Sequence, residues 1–301
     1  MKLIERSVQE IGKSLLITLP KGWANTTKIR KGSIVRMTIS EQGILTISPE
    51  FNKSEVPKEV MLPFDKYFSR RFFKEYFEGN EKITFLLDKD TTEQDRKKLS
   101  LLLTKFMNVQ VIEETSNKVV VKCFKIDELS IEECMKRMYH LSMNMLEEFL
   151  EKNDKSKLNE LDDSITRFYY MQVMQIRRYL TEGKFTEQNQ ITLTRAMDFR
   201  MVAEKVERIS DIIKVQQTST DTNFQKNWDE VKKYYSNSFF SFIDKKYDKA
   251  LDLMIEYQIL SKKYLTLISE AEKKNNLKKY IQYKNILQII VYSKEISMLV
   301  R

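Results

Sequence analysis

The distribution of proline and glycine divides this 301-residue chain into two parts that must fold differently. All four prolines lie at or before Pro63, and four of the six glycines lie within the first 43 residues. Both residue types interrupt helices and mark turns, so the beginning of the chain is expected to form short strands joined by turns. The remainder, which contains only Gly79 and Gly183, is expected to be largely helical.

The N-terminal stretch, residues 1–50, alternates apolar runs of five or six residues with glycine- and proline-containing turns, and one short helix is predicted near residues 21–28. A domain of about 50 residues buries too little surface to be stable by itself. We therefore expect residues 1–50 to fold as a dimer.

Residues 51–63 are interpreted as a linker, and residues 64–125 as a small α/β unit. The helices and strands predicted within it span residues 64–77, 82–88, 92–108, 109–113 and 118–124. Because this unit contains no glycine-rich phosphate-binding loop, nucleotide binding there is not expected.

From residue 130 the apolar pattern is helical almost without interruption. Six helices are predicted, over residues 130–152, 156–182, 188–217, 223–246, 248–274 and 276–301. Helix lengths and breaks repeat with a period of about 85–90 residues, which favours two tandem antiparallel three-helix bundles, 130–218 and 222–301. The predicted fold class is therefore α+β and predominantly α.

Composition narrows the classes of protein. The chain is 42% hydrophobic and 32% charged, which is typical of a globular protein with a buried core. No apolar run approaches the ~18 residues of a membrane span and no signal pattern is present, so a cytoplasmic location is expected. Cys123, Cys134 and His140 do not have the spacing of a zinc site, and two cysteines make no disulfide framework.

The net charge of +9 is concentrated at the two ends of the chain. Residues 1–50 contain eight basic and four acidic residues, and residues 222–301 contain fifteen and nine. A basic segment can bind nucleic acid, an anionic membrane surface or an acidic protein, or it can simply reflect a lysine-rich composition.

An acidic stripe is predicted on the third long helix. Glu204, Glu207 and Asp211 fall within about 60° of one another at helical spacing, opposite an apolar face. Such carboxylates can coordinate a hard cation such as Mg²⁺, Mn²⁺ or iron. In the alternative interpretation, the acids lie on a solvated face and pair with Arg200 and Arg208 four residues away.

The N-terminal stretch resembles the SpoVT/AbrB family. The matching motifs are Gly12-Lys13-Ser14, Leu19-Pro20-Lys21-Gly22-Trp23, Arg30-Lys31-Gly32-Ser33 and the closing run Leu45 to Pro49. The resemblance implies a swapped-hairpin dimer that binds DNA through basic side chains. The residues implied in phosphate contact are Arg6, Lys13, Lys21, Arg30 and Lys31. One departure is that the basic pair found in the short helix of many relatives is replaced by Ala24 and Asn25.

The helical region is similar to the PhoU family. The run from Val202 to Asp211 resembles that family's Glu-Arg-Ile-Gly/Ala-Asp signature, and the run from Asp162 to Arg178 resembles its second helix. The resemblance implies a surface metal site. Its ligands would be Glu207 and Asp211, with Glu204, Asp162 and Asp163 as further candidates, and Mg, Mn, Fe or Zn as the ion.

The PhoU-like pattern is incomplete at two places. Thr166 stands where the family's second helix usually has an aspartate, and the last helix of the second bundle has Glu295 without the following aspartate. The second metal site is therefore expected to be absent.

The two halves together resemble archaeal phosphate-uptake regulators. The function predicted is a homodimeric, DNA-binding transcriptional regulator of phosphate uptake that senses a metal, phosphate or a partner through its bundles. The alternative is a PhoU-like adaptor that does not bind DNA and regulates a phosphate transporter or signalling protein. An enzyme is not expected, because no nucleophile–base pair is recognisable.

Overall fold

A computed structural model describes residues 4–39, 43, 45–49, 58–125, 129–182, 191–216 and 222–301. The chain divides into two compact units, Met1–Val56 and Pro57–Arg301. The elements described are α+β and mostly helical, which confirms the predicted class. In these stretches no helix combines the length and apolar character needed to cross a membrane.

The first unit consists of two antiparallel hairpins and a short helix. They are β1 (Gln9–Ile11) with β2 (Ser14–Leu16), α1 (Lys21–Thr26), and β3 (Val35–Ile39) with β4 (Leu45–Pro49). Gly12 in the first hairpin turn has φ +65°, a left-handed conformation that glycine adopts without steric cost. The predicted β unit with one short helix is confirmed, whereas hairpin exchange with a second copy stays a prediction.

The second unit begins with an α/β layer of four strands and two helices. These are β5 (Glu59–Pro63), α2 (Phe68–Phe77), β6 (Lys82–Leu86), α3 (Glu93–Leu103), β7 (Val109–Glu114) and β8 (Lys118–Cys123). The sheet order is β5-β6-β8-β7, with β5 parallel to β6 and β8 antiparallel to both of its neighbours. Its core is rich in aromatic rings, and Phe72, Tyr76 and Phe85 are fully buried.

The predicted linker 51–63 is wrong at its C-terminal end, because residues 59–63 form the edge strand β5. Val60 and Leu62 point into the α/β core at the alternate spacing of a strand. Pro63 suggested a break, but a proline is tolerated at the end of an edge strand, where no neighbour needs its missing N–H. The α/β layer therefore starts before residue 64.

Both helices of this layer are shorter than predicted. The 64–77 prediction begins too early, because the backbone N–H of Phe64 donates to the carbonyl of Leu86 (3.0 Å) and keeps that residue on the sheet. The 92–108 prediction ends too late. Phe106 turns back into the core, where its ring centroid lies 5.0 Å from that of Phe72.

Six helices occupy the remaining predicted stretches to within a few residues. They are α4 (Ile131–Glu151), α5 (Lys155–Glu182), α6 (Leu193–Val215), α7 (Thr222–Ile243), α8 (Tyr247–Lys273) and α9 (Leu277–Ser297). Helices α4–α6 pack on one another as a first bundle, and α7–α9 as a second bundle. The bundles meet where α6 packs on α9 and α4 packs on α7, and they share a continuous apolar core.

Helix α5 belongs both to the first bundle and to the α/β layer. Tyr169 packs against the bundle core, while the ring of Tyr170 stacks on Phe106 of the layer at 5.1 Å between centroids. Arg167 Nε donates to the carbonyl of Thr104 (2.8 Å), which ties α5 to the end of α3. The α/β layer is therefore docked on the first bundle rather than tethered to it by a linker.

Candidate functional site

The predicted acidic stripe divides into two sets in the structure, and Glu204 forms the first alone. Its carboxylate lies 3.3 Å from Arg208 Nε and 3.7 Å from Arg200 Nη1. Both arginines are four residues away, so the alternative interpretation, an acid paired along a helix face, is correct for Glu204.

Glu207 and Asp211 lie on the part of α6 that faces α5. Burial raises the pKa of Glu207 to about 7, and the nearby negative charges of Asp211 and Asp162 add to the effect. Burial and the charge of Asp162 also raise the pKa of Asp211, although Lys214 partly offsets them. The three carboxyl groups therefore form one cluster in which negative charge exceeds the positive charge that Lys214 and Arg208 supply.

Asp162 is the buried member of this cluster, with 5% of its surface exposed. Its Oδ2 accepts a hydrogen bond from Lys214 Nζ at 2.6 Å, and this contact raises the pKa of the lysine. The hydroxyl of Ser210 lies 3.4 Å from Asp162 Oδ1 but 2.6 Å from the carbonyl of Glu207, so it donates mainly to the carbonyl. The neighbouring Asp163 is exposed to solvent.

The site also contains a residue that the sequence reasoning missed. Lys214 follows Asp211 by three positions and Glu207 by seven, so helical spacing alone places it on the same face. The sequence therefore indicated a lysine beside the predicted metal ligands. In the structure this lysine forms an ion pair with Asp162, so Asp162 is not an unpaired candidate ligand.

The acidic cluster lies beside the contact between α5 and the α/β layer. The Tyr170 side chain, which stacks on Phe106, is near enough to Glu207 and Asp211 that their charges, after burial, raise its pKa. The guanidinium of Arg200 lies over the ring of Tyr169 at 5.0 Å. A change of charge at Glu207 would therefore act directly on the side chain that holds the layer to the bundle.

Ion pairs already occupy some of the predicted metal ligands, so few of them remain to bind a metal ion. Glu204 is turned to its arginines and Asp162 to Lys214, so among the predicted ligands Glu207, Asp211 and Asp163 are in no ion pair within the described part of the chain. Of these three, Asp163 is exposed to solvent and only Glu207 and Asp211 belong to the cluster. In the described part of the chain, no three His, Cys, Asp or Glu side chains are placed to hold a metal. Two carboxylates suit a hydrated ion of the Mg²⁺ type, but not a multi-metal cluster. The metal ligands stay a prediction.

The five basic residues predicted to contact DNA are all exposed in the first unit. Lys13 lies in the turn between β1 and β2, and Lys21 is the first residue of α1. Arg30 and Lys31 precede β3 in a turn where the Arg30 N–H donates to Ser33 Oγ at 2.9 Å. The Arg6 guanidinium reaches the carbonyl of Glu5 at 3.2 Å. All five side chains are therefore accessible to a phosphate backbone.

No residue with a described side chain in the first unit is buried. Instead, ten large apolar side chains there are between 43% and 77% exposed: Ile4, Val8, Ile11, Leu15, Leu16, Ile17, Ile34, Met37, Ile39 and Leu45. An apolar surface of this extent is typical of a unit that associates with another surface.

Two ion pairs connect α6 of the first bundle to the C-terminal end of the chain. Glu295 of α9 pairs with Lys205 of α6 at 2.7 Å, so it links the bundles. A buried carboxylate that the sequence reasoning missed, Asp198, lies 3.5 Å from the guanidinium of Arg301. Burial raises the pKa of Asp198, and the charges of Arg301 and Arg195 partly offset it.

Comparisons with protein-family models, with curated proteins and with solved structures gave no match to this chain. The assignment of function therefore depends on the residues and contacts described above.

Proposed function

We propose that this protein is a homodimeric, DNA-binding transcriptional regulator of phosphate uptake. The observation that carries the proposal is the first unit, which has no buried residue among its described side chains but exposes ten large apolar ones. A second copy of the same unit would cover this surface, and the resulting two-fold dimer would present two identical basic surfaces. A symmetric operator would match them.

The exposed basic side chains supply the contact with DNA. Lysine and arginine bind phosphates, release counterions and so give an affinity that falls with salt. Lys13 and Lys21 lie within two of the motifs that resemble the SpoVT/AbrB pattern, and both are exposed.

The bundles would supply the sensing. Glu207 and Asp211 are the residues that would hold a divalent cation, whose charge would offset the burial and the repulsion between carboxylates that raise their pKa values. Since Tyr170 lies close to these carboxylates, occupancy would change the contact between α5 and the α/β layer. Phosphate or a protein partner is the other predicted input, and phosphate, an anion, would approach these carboxylates only together with a bound cation.

The deciding experiment is a titration of the full-length protein against promoter DNA from its own phosphate-transport operon. Measurements at about 50 and 200 mM salt, with an unrelated duplex as competitor, separate specific from non-specific binding. The Lys13→Ala/Lys21→Ala variant is expected to bind more weakly and to flatten the salt dependence by about one unit of slope per lysine. Lys97→Ala/Lys157→Ala, which removes the same charge from the second unit, is the matched control.

Preference for the promoter that persists at the higher salt, together with an affinity that falls only in the first variant, supports the regulator. Loss of all preference would instead favour the adaptor, with the first unit serving only in dimerisation. The neutral Ala24 and Asn25, where many relatives carry a basic pair, make this second outcome the specific alternative.

A further inference from the structure

Helix α8 carries a row of large apolar side chains that stay exposed within the described part of the chain. The five members are between 43% and 66% exposed: Tyr247, Leu251, Ile255, Ile259 and Leu265. Single exposed apolar residues are common, but a contiguous row marks an interaction surface. We call this row the α8 stripe.

The α8 stripe lies on the side of the helix opposite the bundle core. At about 100° per residue, its members fall within roughly 120° of one another. The buried residues of α8 fall on the other side: Ala250, Leu253, Leu260, Tyr264 and Ala271. Helix α8 therefore has two apolar faces, one in the core and one outward, the latter about 27 Å long at 1.5 Å per residue.

Charge is distributed unevenly along the outward face. Asp248 and Asp252 lie on the N-terminal half of this face, Lys262 lies between Ile259 and Leu265, and Glu270 and Lys273 lie beyond Leu265; all five are exposed. The face therefore carries two acidic residues at one end and an excess of one basic residue at the other.

Side-chain size follows the same division. The N-terminal half presents the bulky Leu251 and Ile255, while the C-terminal half has a depression lined in part by the small side chains of Ser261, Thr266 and Ser269. The C-terminal half also carries two large side chains, Ile259 and Leu265, and Leu265 lies at the edge of this depression. A surface whose two halves complement each other in charge and in shape fits a second copy of itself in the reverse direction.

We propose that two copies of this chain pair antiparallel through their α8 stripes, about a two-fold axis near Gln258. The acidic, bulky half of each helix then faces the basic, hollow half of the other. If Leu251 lies opposite Leu265 of the other copy, Gln258 falls on the axis. Measured along the helix axis, Asp252 then lies about 3 Å from the level of Lys262 of the other copy.

The contact is small. A stripe about 27 Å long and ~10 Å wide covers about 300 Å² per copy, and the total of ~600 Å² is below that of a standard stable interface. Pairing through α8 is therefore weak by itself. The proposed function has the N-terminal units joining two copies of the chain. If it is correct, the α8 contact between the same two copies becomes effectively intramolecular and is strengthened.

A cysteine placed on the proposed axis tests the geometry in the full-length protein. Both native cysteines, Cys123 and Cys134, are buried, so the background is low. Under mild oxidation, Gln258→Cys is expected to form a covalent dimer at least about tenfold faster than Ser269→Cys, whose two copies would lie ~33 Å apart. Equal rates, or no covalent dimer in either variant, would overturn the proposal. The second result is also the one expected if another protein or another part of the chain covers α8.

Charge reversal tests the pairing direction. In the Gln258→Cys background, Asp252→Lys and Lys262→Asp each place like charges opposite one another, so each is expected to cross-link several-fold more slowly. Mixing the two variants restores opposite charges at both positions, and the mixed dimer should form at the parent rate. A mixture no faster than either variant alone contradicts antiparallel pairing. DNA binding depends on the first unit, so the promoter titration reports separately on the proposed function.

Discussion

The middle helices of the two bundles, α5 and α8, occupy corresponding positions but have different outward faces. The outward face of α5 carries Tyr170 and Met174, which are packed into the core of the α/β layer. The outward face of α8 carries the α8 stripe, which no described element covers. The same helical pattern therefore has two outcomes: α5 joins the bundle to the α/β layer, with an acidic cluster beside it, and α8 leaves its outward apolar side chains exposed.

Truncating the covered face should have the largest effect. Tyr170 packs against Phe106, Phe73 and Phe77, with ring centroids 5.1, 5.3 and 6.0 Å apart. Tyr170→Ala is expected to lower the free energy of unfolding by about 2–4 kcal/mol, through lost burial and a cavity in the aromatic cluster. Urea denaturation followed by far-UV circular dichroism measures this change.

The matched control on the other bundle is Tyr247→Ala. Tyr247 is 56% exposed, so its removal is expected to change stability by less than about 0.5 kcal/mol in dilute protein. Similar losses in the two variants would mean that α5 and α8 do not differ as described, and that the α/β layer is not docked through Tyr170.

The acidic cluster distinguishes the bundles in its response to pH. Since the pKa of Glu207 is raised from 4.5 to about 7 in the folded protein, the ionised group opposes folding. This destabilisation is absent below about pH 4.5, grows as the pH rises toward 7 and is complete above it. Glu207→Gln is therefore expected to be more stable than the parent by about 1–3 kcal/mol at pH 8, but not at pH 4.5.

The control is Glu204→Gln, which removes an exposed ion pair and is expected to cost at most about 1 kcal/mol. A stability difference for Glu207→Gln that does not vary with pH would show that the pKa of Glu207 is not raised in the folded protein. Added Mn²⁺ sharpens the test. If Glu207 and Asp211 hold the ion, Mn²⁺ should raise the melting temperature of the parent protein more than that of Glu207→Gln.

The sequence predicted local features well and missed contacts between distant residues. The breaks near Asn153 and Asn275 located the helices, because such residues end helices through a positive φ. Strand β5 was missed because Pro63 also fits a linker. Helical spacing could have placed Lys214 beside Asp211, but its pairing with Asp162 on α5 and the packing of Tyr170 on Phe106 are tertiary contacts that no local pattern encodes.

The smallest predicted effect comes from the turns that join the first two helices of each bundle. Asn153 has φ +51° in the α4–α5 turn, and Lys245 has φ +55° in the α7–α8 turn. Asparagine adopts this left-handed conformation more often than lysine does, and glycine adopts it without steric cost. Lys245→Gly is therefore expected to raise the free energy of unfolding by about 0.5–1 kcal/mol, and Asn153→Gly to change it by less than about 0.5 kcal/mol. Thermal and urea unfolding at pH 7 would measure both, with Lys245→Ala, which removes the same charge but keeps the Cβ, as a control that should not stabilise. If Lys245→Gly stabilised no more than Asn153→Gly, the backbone of the two turns would be equally relaxed, and the bundles would differ only on their outward faces.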